Sequence, residues 1–378
     1  MSVETQWQSQ FQLNDDIVYL NHAAVSPWPK VAHDAVLRFT EENYRLGSKH
    51  YLQWLETEQT LRQQLAQLIN ASSSADIALL KNTSEALSVV AHGLSWKSGD
   101  NIISSNEEFP SNRIVWQSLS PQGVELRQAD LSTGESPEDA LFALVDKHTR
   151  MIAISSVQYA SGLRMDLQRI GEFCKQNKIL FCVDAIQSIG ALQFDVQTCH
   201  IDFAMADGHK WMLGPEGLAL FYVRQELRDT LQLHQYGWHM TEDYLNFDSK
   251  EWTVAESARR YECGSPNMLA IHALQASTRL LLDIGMQEVE ERIIANSQYL
   301  LELISKHEEL QTITNTRIER LAGIVTFKHK NKDSETLYKR LMQEGIMCAY
   351  RGGGIRFSPH FYTSKETLHA AINAVLKL

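Results

Sequence analysis

The sequence predicts an α/β fold, with a mostly parallel sheet covered by helices and a smaller α+β unit after it. Three observations carry that expectation. Short, continuously apolar runs recur at Asp76–Leu80, Asp100–Ser105, Arg150–Val157, Lys178–Ala185, Asp202–Asp207 and Gly217–Val223. Strands that are apolar on both faces belong in a sheet buried between helix layers. Between several of these runs lie segments with helical spacing of apolar residues, such as Ser84–Leu94 and Leu167–Asn177. After about residue 255 the pattern changes to long amphipathic helices separated by isolated strand-like runs.

The elements follow in order. Ser136 with Pro137 behind it is an N-cap with proline at the first helical position, so a helix opens there. Leu269–Ile284 has helical spacing and stops at Gly285, and a second helix runs from Met286 to about His307. Gly323–His329 reads as a strand, Ser334–Gly345 as a helix and Gly354–His360 as a strand. The last helix opens with a capping box, Thr363 to Glu366. These patterns divide the chain into a large domain over residues 16–255 and a small domain built from 1–15 and 256–378, with the change of texture at Trp252–Gly264.

Bulk properties narrow the function. A chain of 378 residues with 44% hydrophobic and 21% charged side chains is expected to fold around substantial cores rather than remain disordered. The net charge of −11 argues against nucleic-acid and anionic-membrane partners. The first residues are polar and lack a signal-peptide pattern, and no apolar run reaches the roughly 18–20 residues that span a bilayer. The five cysteines, Cys174, Cys182, Cys199, Cys263 and Cys348, are scattered and show no metal or redox spacing. A cytoplasmic protein with free thiols and no metal site is expected.

Four strand ends carry polar groups, and ligands of open parallel sheets sit at strand ends. Asn82, Thr83 and Ser84 lie where a strand meets a helix N-terminus, a setting for phosphate. Asp184 closes a very apolar strand, with Gln187 three residues on. Phe109 stands beyond another strand, and Lys210 follows a third inside Asp207-Gly-His-Lys-Trp211. Each has an ordinary explanation alone: helix capping, a turn, or core packing. Together, a phosphate cradle, a strand-end acid, an aromatic plate and a desolvated lysine describe a site for pyridoxal 5′-phosphate. That cofactor needs an amine for its aldehyde and a carboxylate to keep its ring nitrogen protonated.

At these residues the chain resembles the class V aminotransferase family of fold-type-I pyridoxal phosphate enzymes, which includes cysteine desulfurases, kynureninases and isopenicillin N epimerases. The most specific segments are Val183–Gly190 and Asp207–Val223. The resemblance implies that Lys210 carries the cofactor covalently and that Asp184 pairs with the ring nitrogen. It also implies that Gln187 bonds the ring oxygen, that Thr83 and His209 bind phosphate with Ser84 nearby, and that Phe109 stacks on the ring. Ser265, in Glu262-Cys-Gly-Ser-Pro-Asn267, would reach the phosphate of a second subunit, which implies a homodimer with shared sites. Arg356 would grip the α-carboxylate of an amino-acid substrate, with Arg351 as a second arginine. Asn21, His22, Gln158 and Tyr159 would form further substrate walls. Two departures stand out. The loop that carries the desulfurase nucleophile is here only Gly352-Gly353-Gly354, and Cys348 matches no catalytic position. Asp207 stands where many desulfurases have a phosphate-binding serine. Amino-group transfer is the expected reaction. The alternatives are a desulfurase- or kynureninase-type lyase, an epimerase or racemase, and a non-enzymatic binding protein of the same fold.

Overall fold

The computed structural model describes residues 7–378, so the reading of residues 1–6 as free of a leader pattern lies outside the described residues. Eight strands come first: β1 (Val18–Tyr19), β2 (Ile77–Leu80), β3 (Asn101–Ser105), β4 (Glu125–Ala129), β5 (Thr149–Ser155), β6 (Leu180–Asp184), β7 (Phe203–Asp207) and β8 (Ala219–Val223). Seven of them form one sheet in the order β2-β8-β7-β6-β5-β3-β4. Neighbours from β4 across to β7 run parallel, whereas β8 is antiparallel to both β7 and β2. The sheet is mostly parallel, as the apolar runs predict.

Those runs are apolar throughout because each face of the sheet meets its own core. Ile77, Leu79, Ile152, Ile154, Phe181 and Val183 face one cluster, which also holds Leu61 and Leu65 of a covering helix. Their strand neighbours Ala78, Leu80, Met151, Ala153 and Cys182 face the other, with Leu87 and Val90 of the helix after β2. Alternate residues thus enter opposite cores. Strand β4 has no apolar run, because it lies at the sheet edge with Glu125 exposed and only Ala129 buried.

Ten helices pack around the sheets among the described residues: α1 (Lys30–Leu46), α2 (Tyr51–Leu68), α3 (Thr83–Gly93), α4 (Ser111–Gln117), α5 (Pro137–Phe142), α6 (Leu167–Asn177), α7 (Met268–Ile284), α8 (Met286–Ser305), α9 (Ser334–Gln343) and α10 (Lys365–Lys377). Ser136 caps α5 by accepting from Asp139 N, with Pro137 at the first position. The cap of α10 falls one residue later than the sequence pattern places it. Ser364 accepts from Thr367 N, while Thr363 Oγ1 accepts from His360 N at 3.0 Å. The preceding turn claims the threonine hydroxyl.

The smaller sheet comprises β9 (Leu310–Thr312), β10 (Val325–His329), β12 (Ala349–Arg351) and β13 (Gly354–Phe357), ordered β12-β13-β10-β9; β11 (Ile346–Met347) pairs with β1. Leu300, Phe327, Leu341, Phe357 and Ile372 fill its core together with Leu20. Two segments cross the division expected from sequence. Val18–Tyr19 join β11 of the smaller unit, while Met268, Ile271 and Leu274 of α7 sit in a core of the large sheet. Apolar spacing reveals that a face is buried; it does not reveal which core receives it.

Candidate active site

Three adjacent parallel strands end at one cavity of about 270 Å³. Ser155, Asp184 and Asp207 are the last residues of β5, β6 and β7, and all three line it. Thr83 and Ser84, at the N-terminus of α3, close one end. The smaller unit adds Arg351 and Arg356 from the β12–β13 hairpin.

Lys210 projects from the connection between β7 and β8. The antiparallel pairing continues past the strand ends, with Gly208 N donating to Leu218 O at 2.9 Å and Gly214 N donating to Gly208 O at 2.8 Å. Leu213 is buried and takes a φ of 60°, a left-handed conformation that a branched side chain avoids unless its surroundings impose it. A Cβ on Gly214 would lie 2.6 Å from Leu274 Cδ1, so α7 packs closely on this turn and a larger residue would displace the Leu274 side chain. The Lys210 amine lies 5.9 Å from the centroid of the Phe109 ring, which meets Tyr159 edge-on at 5.2 Å.

Burial sets the electrostatics. It lowers the pKa of Lys210 to about 8; the negative charge of Asp184 opposes the shift, and Arg356 reinforces it. Burial raises Asp184 to about 7, against the hydrogen bond that Ile186 N donates to its Oδ1 at 3.1 Å. Asp184 and Lys210 act on each other, so each is an acid or base poised near neutrality.

The structure brings Thr83, Ser84, Phe109, Asp184, Gln187, His209 and Lys210 to the cavity, with Tyr159, Arg351 and Arg356. Ser84 Oγ donates to Ser111 Oγ at 2.8 Å. Gln187 accepts from Trp211 Nε1 at 2.9 Å and donates to Ala23 O at 3.0 Å, leaving one amide hydrogen free. Arg356 is 2% exposed; its Nη1 donates to Tyr159 O at 2.7 Å, and its Nε is buried without a partner.

Four expected residues lie elsewhere. Gln158 turns away from the cavity and donates to Glu108 Oε1 at 2.9 Å. His22 is fully buried, with Nδ1 2.8 Å from Ser358 O and Nε2 2.6 Å from the Tyr362 hydroxyl, and burial lowers its pKa to about 4. Asn21 bridges to Ser358, and its neighbours Ala23, Ala24 and Val25 form the wall instead. Ser265 is exposed and does not line this chain's cavity. Sequence reasoning missed Glu108. It is a buried carboxylate that accepts from Ser155 N at 2.9 Å and Asn112 Nδ2 at 2.7 Å, and its charge helps raise Asp184. Its only sequence signal is a strand-end acid beside Phe109.

No cysteine lines the cavity. Cys348 is buried behind it at 1% exposure, and burial pushes its thiol up to about 12.

Over residues 18–369 the chain matches the family described as Aminotransferase class-V. The chain belongs to the class V aminotransferase family. It is 29% identical to a probable cysteine desulfurase of Methanothermobacter thermautotrophicus, covering 93% of this chain and 92% of that one. It is 27% identical to an uncharacterized aminotransferase, YcbU, of Bacillus subtilis, over 85% and 84% of the two chains. Among solved structures, an apo cysteine desulfurase of Thermococcus onnurineus superposes with a TM-score of 0.84 at 25% identity, over 95% and 94%.

Class V enzymes use pyridoxal 5′-phosphate, and the residues at the cavity fit that group. Thr83 Oγ1, His209 Nδ1, Asp207 Oδ1 and Arg356 Nε are all buried without hydrogen-bond partners. Buried polar atoms are rarely left so. A phosphate at this end of the cavity would satisfy the unpartnered Thr83 Oγ1 and His209 Nδ1. The protein is a pyridoxal phosphate-dependent enzyme of this class, acting on an amino acid.

Proposed function

We propose that the enzyme transfers the amino group of an amino acid, with Lys210 and Asp184 as catalytic residues. The observation that carries this reading is one cavity holding Lys210, Asp184 and Arg356 with no thiol on its walls. The cofactor supplies the electron sink for the bond broken at the substrate α-carbon. Arg356 offers the carboxylate a fork, because Nη1 is held by Tyr159 O while Nε has no partner. Lys210 moves the α-proton as general base; with burial lowering its pKa to about 8, a useful fraction of the amine is neutral near physiological pH. Asp184 holds the proton of the ring nitrogen. Thr83, Ser84 and His209 bind phosphate, Gln187 reaches the ring oxygen, and Phe109 faces the ring.

Sulfur removal from cysteine is the second reading, supported by relatives named as cysteine desulfurases. Against it, Cys348 is buried, unionised and away from the cavity. We further propose a cytoplasmic homodimer, a reading supported by five free cysteines and by Ser265, which is exposed and does not line this chain's own cavity. An amino-acid screen read by mass spectrometry tests the reaction. A keto acid with pyridoxamine phosphate is expected. Alanine with sulfide as the main products from cysteine, or inverted configuration alone, would replace the reading. Sedimentation at the mass of one chain would remove the dimer.

A further inference from the structure

Asp207 is a buried acid at the end of the cavity that holds Thr83 and His209. It closes β7, is 9% exposed, and lines the cavity together with Thr83 and His209. Its Oδ1 is buried without a partner, as are Thr83 Oγ1 and His209 Nδ1. Three orphaned polar atoms at one corner mark a place built for a hydrogen-bonding ligand, and two of them belong to residues suited to phosphate. The third belongs to a group that repels phosphate when ionised.

The Thr83 amide and hydroxyl favour the ionised form of Asp207, but no lysine or arginine among the described residues lies within ion-pair distance to neutralise it. The charged and titratable groups that act on Asp207 or stand at the same cavity are His209, Lys210, Asp184, Glu216, Tyr159, Arg351 and Arg356, and neither arginine forms an ion pair with Asp207. His209 Nδ1 lies 3.9 Å from Asp207 Oδ2, beyond hydrogen-bond reach, and burial lowers the pKa of His209 to about 4. A neutral His209 cannot balance the carboxylate. Lys210 is committed to the aldehyde end, and Asp184 and Glu216 add negative charge. A protonated acid, in contrast, donates where an ionised one only accepts. Its free oxygen would then meet a phosphate oxygen as a donor, beside the amides at the α3 N-terminus.

We propose that Asp207 binds the cofactor phosphate as a neutral, hydrogen-bond-donating acid, so that loading the enzyme takes up a proton at this residue. The inference rests on the cofactor orientation given above, with phosphate at Thr83 and ring nitrogen at Asp184. Asp207 is already inclined that way. Burial raises it to about 6, against the Thr83 amide and the charge of Lys210, and an arriving phosphate dianion raises it further. The sign follows. Above about pH 6 the empty site has lost the proton that the loaded site holds, so affinity falls with rising pH.

The test titrates the apo protein with pyridoxamine 5′-phosphate, which forms no bond to Lys210, and follows tryptophan fluorescence from pH 6 to 8.5. Asp207→Asn donates a hydrogen bond at every pH. The ratio of the natural protein's Kd to that of Asp207→Asn should climb by about tenfold per pH unit between pH 7 and 8. Ionisation of the ligand itself is common to both proteins and cancels in the ratio. A ratio constant within twofold overturns the proposal, as does Asp207→Asn binding more weakly at every pH. If Asp207→Asn does not fold, Asp207→Ser takes its place with the same expectation. Absence of binding to the natural protein at any pH would mean that the cofactor site itself is misassigned, and the proposal falls with it.

Discussion

Arg356→Lys separates charge from geometry at the substrate carboxylate. In the structure Nη1 is spent on Tyr159 O, and Nε is buried and unpaired. Nε–H and Nη2–H lie on the same edge of the guanidinium, so the free edge matches the two oxygens of a carboxylate. Charge-assisted hydrogen bonds are worth about 1.5–3 kcal/mol each. A lysine keeps a positive charge but loses the fork, so roughly one bond is lost outright. A cost of about 2–3 kcal/mol corresponds to a fall of roughly 30- to 150-fold in kcat/KM. The assay is steady-state kinetics on the best amino acid from the product screen, beside the same compound without its carboxyl group. The variant should lose kcat/KM on the acid and lose less than about threefold on the amine. Equal losses on both, or a loss under threefold on the acid, would refute the assignment of the fork. Thermal unfolding of the variant is measured in parallel, because the Tyr159 contact is removed as well.

Three further outcomes are expected. Lys210→Met should stabilise the apo protein by up to about 3 kcal/mol at pH 7. The depressed lysine pKa of about 8 makes charging it in the fold costly below its unfolded value, and the gain shrinks to less than half at pH 9.5; urea titrations at the two pH values check this. Cys348→Ala should leave turnover within about twofold while costing roughly 1 kcal/mol of stability for a small cavity; a hundredfold loss of activity would restore a catalytic thiol. Glu262→Ala should destabilise by about 3–5 kcal/mol in urea unfolding. It removes the acceptor of Leu79 N at 2.7 Å and of Arg62 Nη2 at 2.7 Å, and leaves the buried Arg62 with Glu58 as its one carboxylate among the described residues.

The strands of the large sheet were legible because both of their faces are buried, which makes them apolar without interruption. Strand β4 was not, since an edge strand with exposed Glu125 carries no such run. Asp184 and Lys210 were legible as polar groups beyond apolar strands, and both line the cavity. Gln158 and His22 mark the limit of that reasoning. Each is next in sequence to a cavity residue, Tyr159 and Ala23, yet both pairs lie at turns, where sequence adjacency does not fix which side chain faces the cavity. Both enter buried polar contacts instead. The burial of Glu108 was not legible because two of its partners, Ser155 and Gln158, are 47 and 50 residues away and are brought to it by the folding of β3 beside β5.

The clasp between Gly208, Gly214 and Leu218 ties the turn that carries Lys210 to the ends of β7 and β8. Since β8 runs antiparallel to β7, the lysine sits on a closed excursion whose two ends are hydrogen-bonded to each other before either reaches solvent. The backbone beneath the amine cannot shift without opening the sheet at that edge. Motion during turnover is thereby left to the four-carbon side chain and to the hairpin that carries Arg351 and Arg356. Under the proposed mechanism the base has a fixed pivot, and the substrate clamp lies on the hairpin of the smaller sheet. Adaptation to a new substrate can proceed in the hairpin without disturbing the chemistry.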